Sequence, residues 1–160
     1  MPIHHRTYGE AVIRDQKPLS LGVRTFIDGM SLQEYIELLN RKTFSWVRKE
    51  RLIRLLSAKA YRGKVHDVLI VDTKGLVERH RDEITLSPIN SGAFRGSGRR
   101  GAYTFKKIED YPYDERVRTN HEDAVVELAV DYAVKDITDF TVRVEEWTGN
   151  RSLRVIWERG

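Results

Sequence analysis

Ala124-Val125-Val126-Glu127-Leu128-Ala129-Val130 is apolar at every position but one. A strand built from this run is apolar on both faces, which suits only the interior of a sheet covered on two sides. The strand-like character extends to Val134. Val65 to Val71, β-branched with Asp67 inside it, has the same character and is predicted as a second interior strand. Phe140 to Trp147 alternates, with Val142 and Val144 against Arg143 and Glu145. Ser152 to Trp157 is expected to pair with it as a hairpin across Thr148-Gly149-Asn150-Arg151. Shorter strands are expected at Ala11 to Ile13, Thr43 to Val47 and Ile84 to Leu86, and Tyr103 to Ile108 reads as extended.

Helical signals lie mostly upstream. Ser31 and Glu34 form a capping-box pair ahead of Leu32, Tyr35, Ile36 and Leu39, which predicts a helix over Ser31 to Arg41. A second helix is predicted from Lys49 to Tyr61, with Leu52, Leu55 and Leu56 on one face and Gly63 as its stop. Lys74 to His80 reads as a short helix, and Asp110 to Asp123 as a polar loop anchored by Tyr111-Pro112. Residues 1–29 read as irregular, broken by Pro18, Gly22 and Gly29. Helices early and strands late point to an α+β fold with a mixed, mainly antiparallel sheet. No repeat, low-complexity tract or linker divides the chain, so one domain over residues 1–160 is expected.

Composition sets outer bounds. The chain has no cysteine, which excludes disulfides and cysteine-ligated zinc and makes a reducing cytoplasm the expected compartment. No apolar run is long enough to cross a membrane, and Met1 to Glu10 carries no apolar signal core, so no membrane partner is expected. A net charge of +4 permits contact with nucleic acid without demanding it. The five histidines form no metal-ligand spacing, so no metal is expected.

Three places could carry chemistry. Glu127 is a carboxylate among apolar neighbours. Burying such a charge is costly unless it is paired or lines a cleft, so Glu127 is either half of a buried ion pair or a catalytic anion. Arg51, at the start of a helix after Phe44-Ser45-Trp46, is either part of a solvated basic face with Arg48, Lys49 and Arg54 or a grip for a pyrophosphate. The segment Asn90 to Gly101, with four glycines and three arginines, is either a solvated connection or an anion cradle that moves over the cleft.

Several stretches resemble an uncharacterised bacterial domain family. They are Ala11 to Leu19, Leu39 to Trp46, Arg51-Leu52, Ser87 to Gly92, Arg100-Gly101 with Thr104-Phe105, and Val125 to Val130. That family in turn resembles the DarT-type ADP-ribosyltransferases, which transfer ADP-ribose from NAD to a nucleobase in DNA. The resemblance implies an ADP-ribosyltransferase-like fold, NAD as substrate and nucleic acid as target. It implies Glu127 as the catalytic residue, Arg51 on the NAD phosphates, and Phe44, Trp46, Asn90 and Ser91 around the cofactor. Enzymes of that class begin with a strand whose polar residue, often histidine, fixes the NAD ribose. Here no strand–helix unit is read before Ala11, and His4 and His5 do not sit in one. The first half of the NAD site is therefore expected to be absent, supplied by another chain or lost through a truncated start. Apolar surface left open there would favour self-association. Two other functions fit the same residues: an inactive relative that binds a nucleotide or nucleic acid, and a domain that binds a partner protein.

Overall fold

A computed structural model describes residues 2–6, 9–12, 27–94 and 99–160. The fold is α+β, with every strand pairing antiparallel. Strands β1 (Pro2–His5) and β2 (Gly9–Val12) pair with each other. Helix α1 (Leu32–Asn40) leads into β3 (Lys42–Trp46) and α2 (Lys49–Leu56). Then follow β4 (His66–Val71), α3 (Thr73–His80), β5 (Ile84–Ser87), β6 (Lys106–Lys107) and α4 (Tyr113–Asn120). The chain continues through β7 (Glu127–Asp131), α5 (Ile137–Phe140), β8 (Thr141–Thr148) and β9 (Arg151–Glu158).

The strands after β2 form two sheets. One has the order β3-β7-β5-β6 and the other β4-β8-β9. The apolar run around Glu127 lies inside its sheet, as its pattern requires: β7 is flanked by β3 and β5. The strand proper begins at Glu127, and the chain enters it through Val126, whose N–H donates to the Ser87 carbonyl at 2.9 Å. Leu128 and Val130 on β7 and Ile84 on β5 pack with Leu76 of α3 and Phe140 of α5 into the core.

Local signals fix the first helix. The Ser31 hydroxyl accepts from the Glu34 N–H at 3.2 Å and the Glu34 carboxylate accepts from the Ser31 N–H at 2.6 Å, closing the capping box. The β8–β9 hairpin also forms where expected, with Gly149 at φ +56° in the turn.

Five expectations need correction. The strand at Val65 to Val71 is not interior: β4 is an edge strand, and Leu69 is 50% exposed. Its β-branched residues favour a strand, but residue type does not reveal whether a distant strand will cover the second side. Helix α2 stops at Leu56, and turns carry the chain to Gly63 at φ +78°. The polar stretch Asp110 to Asp123 contains α4. Asp114 and Glu115 in its first turn and Arg118 in its last match the helix dipole, while Val117 alone supplies no apolar stripe to betray it. Tyr103 to Ile108 is a 3₁₀ turn at Ala102–Thr104 followed by the two residues of β6. At the start of the chain, read as irregular, Pro2–His5 and Gly9–Val12 form paired strands with His4 and His5 on β1, while Ile13 to Phe26 lie outside the described residues.

Gly101 shows how the upstream segment docks. Ile27 bridges Arg100, and the Asp28 N–H donates to the Arg100 carbonyl at 2.7 Å. A Cβ on Gly101 would stand 2.4 Å from the Asp28 carbonyl oxygen, a backbone atom that cannot step aside. Gly101→Ala is expected to lower stability by about 1–3 kcal/mol, the usual cost of overpacking. A thermal melt indistinguishable from wild type would show that the segment at Asp28 is not held there.

Candidate functional site

Cross-strand register assigns residues to the two faces of the β3-β7-β5-β6 sheet. Glu127 stands opposite Trp46 on one side and Ser87 on the other. Ala129 stands between Phe44 and Thr85, and Asp131 opposite Lys42. Directly opposed residues share a face. Lys42, Phe44, Trp46, Glu127, Ala129, Asp131, Thr85 and Ser87 therefore lie together, on the face turned away from Leu128, Val130 and Ile84 in the core. Phe44, Trp46 and Glu127, three of the residues singled out in the sequence, are thus brought onto one surface.

Glu127 is buried, 4% exposed. Its Oε2 accepts from the Ser91 N–H at 3.1 Å. Burial pushes its carboxyl above the usual glutamate value, while the Ser91 hydroxyl and N–H and the Arg100 and Arg51 charges pull it back. Ser91 is held from behind: its carbonyl accepts from the Tyr35 hydroxyl at 3.1 Å, and Tyr35 is fully buried. Burial pushes the Tyr35 hydroxyl up to about 12, so it stays a neutral donor. Arg100 is buried too, lies over the Phe94 ring at 4.9 Å and donates to the Asn90 and Ala93 carbonyls. Both described ends of the Gly/Arg-rich segment thus gather at Glu127, while residues 95–98 lie outside the described residues. Asn90 contributes its carbonyl to this turn.

Arg51 lies in the first turn of α2, close enough for its charge to act on Glu127. Its guanidinium is engaged by Asp123, with Nε to Oδ1 at 3.1 Å and Nη2 to Oδ2 at 2.5 Å. That two-pronged bond holds the Asp123 carboxyl below the usual aspartate value. Arg48 adds a longer contact to Asp123 at 3.9 Å. Asp123, directly before the apolar run that begins at Ala124, gave no signal in the sequence that it would clamp this arginine.

Phe44 is 39% exposed, and Trp46 is half-buried beside Glu127. The Phe44 and Phe105 ring centres are 6.0 Å apart. Lys42, which sequence reasoning passed over, binds Asp131 at 2.6 Å and Thr85 at 3.1 Å, with its ammonium 5.0 Å from the centre of the Phe105 ring. Alternation would have found both ends of this pair: Lys42 is two residues before Phe44, and Asp131 four after Glu127. Tyr35, Ser87 and Arg100 were missed because their roles depend on contacts distant in sequence. Among the described residues, no group of three or more histidines and carboxylates is placed to hold a metal ion, and no helix is long and apolar enough to cross a membrane.

The face joins a buried carboxylate to flat aromatic side chains, and the Arg51 fork on α2, held by Asp123, is near enough for its charge to reach Glu127. That combination can stabilise positive charge in a ring stacked beside it and bind an anion nearby. No curated protein and no solved structure matches the chain. A family model described as "Family of unknown function (DUF7002)" matches residues 1–141, which include Phe44, Trp46, Arg51, Asn90, Ser91 and Glu127. The chain belongs to this family of unknown function.

Proposed function

We propose that the chain is an NAD-dependent ADP-ribosyltransferase that modifies nucleic acid, with Glu127 as its catalytic carboxylate. The observation that carries this reading is the position of Glu127, buried, fixed by the Ser91 N–H and in register with Trp46 on the non-core face. In such a transfer the bond between nicotinamide and ribose C1′ breaks, and nicotinamide leaves with the bonding electrons. The ribose becomes oxocarbenium-like, and a nucleophilic atom of the target forms the new bond to C1′. A fixed anion beside that centre stabilises the developing positive charge, and the low local polarity strengthens its effect. Trp46 and Phe44 offer rings to an aromatic base. Arg51 meets the pyrophosphate once its fork exchanges Asp123 for phosphate oxygens.

The test is incubation of the purified chain with NAD labelled in its adenylate part, together with DNA or RNA. Release of nicotinamide with label retained on the nucleic acid is the expected result. Folded protein that neither releases nicotinamide nor labels either polymer would sink the reading. A second reading, an inactive relative that binds nucleic acid, is favoured by the two-pronged Arg51–Asp123 bond, which occupies the proposed phosphate grip. Its signature is salt-sensitive binding of nucleic acid with no release of nicotinamide.

A further inference from the structure

One face of the β4-β8-β9 sheet is covered at its His66 and Trp147 end, while Ile70, 36% exposed, and Val155, 48% exposed, stay open on that same face. On the covered side, His66, Glu145 and Trp147 are buried, and Lys49 of α2 lies over the Trp147 ring. Residues of opposite parity face outward. Leu69 of β4 stands opposite Val144 of β8, which stands opposite Trp157 of β9. These three make an unbroken apolar row across the whole sheet, with Leu69 50% and Trp157 46% exposed. Beside it runs a charged row in the same order: Asp67, Glu146, Arg154. Arg154 binds Glu146 at 2.6 and 2.8 Å, and its field reaches Asp67, as residues on one face require.

An apolar row of this kind, rimmed by charge, marks a contact surface. We propose that it is covered by a second copy of this chain, packed face to face about a two-fold axis running along β8. The argument is the order of the rows. Rotation about that axis lays β4 of one copy over β9 of the other. Leu69 then meets the partner copy's tryptophan, the two Val144 side chains meet at the axis, the two Glu146 carboxylates also meet there, each neutralised by its own Arg154, and Asp67 meets the arginine of the opposite copy. The acidic end of the charged row therefore falls on the basic end, twice. A two-fold axis across the strands would instead stack each apolar residue on its own copy and carry the two charged rows to opposite sides of the apolar row, out of each other's reach. Sheets packed face to face keep their strands within about 30° of each other, which this arrangement satisfies. The surface stands independently of the chemistry at Glu127, and Val144 and Trp157 lie beyond the stretch that the family model matches.

Three strands about 4.8 Å apart make a narrow face, so the dimer belongs at the weak end of specific interfaces. Sedimentation of the full chain at about 100 µM, above the micromolar affinity of weak interfaces, is expected to give a dimer. Leu69→Lys and Trp157→Lys, on opposite edges of the sheet, should each give a monomer with an unchanged circular dichroism spectrum. Asp67→Lys and Arg154→Glu should each weaken the dimer alone, by like charges meeting across the axis. An equimolar mixture of those two variants should restore it as a one-to-one heterodimer, because each lysine then meets a glutamate and each arginine an aspartate. A monomeric wild type would overturn the proposal. So would a dimer that survives both lysine variants, or a mixture no more associated than its separate components.

Discussion

Replacing Glu127 with glutamine is expected to abolish transfer while leaving the fold standing. The side chains are nearly equal in shape, and the glutamine oxygen can still accept the Ser91 N–H that Glu127 accepts at 3.1 Å. What disappears is the charge. Loss of a preorganised group of this kind costs on the order of 10²–10³ in rate, about 3–4 kcal/mol of transition-state stabilisation. Stability should respond in the opposite sense. Burial raises the Glu127 carboxyl above its ordinary value in the folded chain. The folded state therefore holds the proton more tightly than the unfolded state. The group's contribution is most favourable below its unfolded pKa and is lost as pH rises through its folded pKa. Glutamine has no proton to lose, so the variant should gain on wild type as pH rises through that window. Melts of both proteins across the acid to neutral range, beside a nicotinamide-release assay, read both effects. If the variant is instead less stable by roughly 3–5 kcal/mol at neutral pH, Glu127 is half of a buried ion pair and its role is structural. Undiminished transfer by a folded variant would remove Glu127 from the reaction.

Phe140→Ala should cost more stability than any change on the Glu127 face. Phe140 is 4% exposed and packs with Leu76, Ile84, Leu128 and Val130 on the opposite side of the same sheet. Its ring meets His80 edge-on at 5.6 Å, and the Arg79 guanidinium lies 4.8 Å from its centre. Its carbonyl accepts from the Asp72 N–H at 2.8 Å, tying the start of α3 to the entry of β8. Truncation leaves a cavity lined by groups fixed to three separate elements, which limits collapse. The expected loss is about 3–5 kcal/mol. Phe140→Leu, which keeps most of the volume, should lose much less. Urea denaturation of the two variants checks this, and a loss below about 1 kcal/mol for alanine would mean that the site collapses freely and that this core is not tightly packed.

The α+β class, the capped first helix, the β8–β9 hairpin and the interior position of β7 were legible in the residues. Each rests on a signal within a few positions: a capping pair, an alternation, a turn, an apolar run. Helix α4 was not legible, because a surface helix without an apolar stripe differs little from a polar loop in sequence. The edge position of β4 was hidden for another reason. Its β-branched residues state a preference for a strand, and only the pairing of distant segments decides which strands stand beside it. The same division runs through the site. One carboxylate inside an apolar run marked Glu127, and two aromatic residues ahead of a helix-start arginine marked Phe44 with Trp46. Their shared face follows from the register of β3 against β7, a contact between segments some eighty positions apart. The clamp of Asp123 on Arg51 and the support of Ser91 by Tyr35 arise in the same way. Sequence determined which residues carry charge, rings and backbone preference, because those are properties of single residues and near neighbours. The tertiary structure alone decided which of them meet, because burial and partnership depend on atoms that chain order does not bring together.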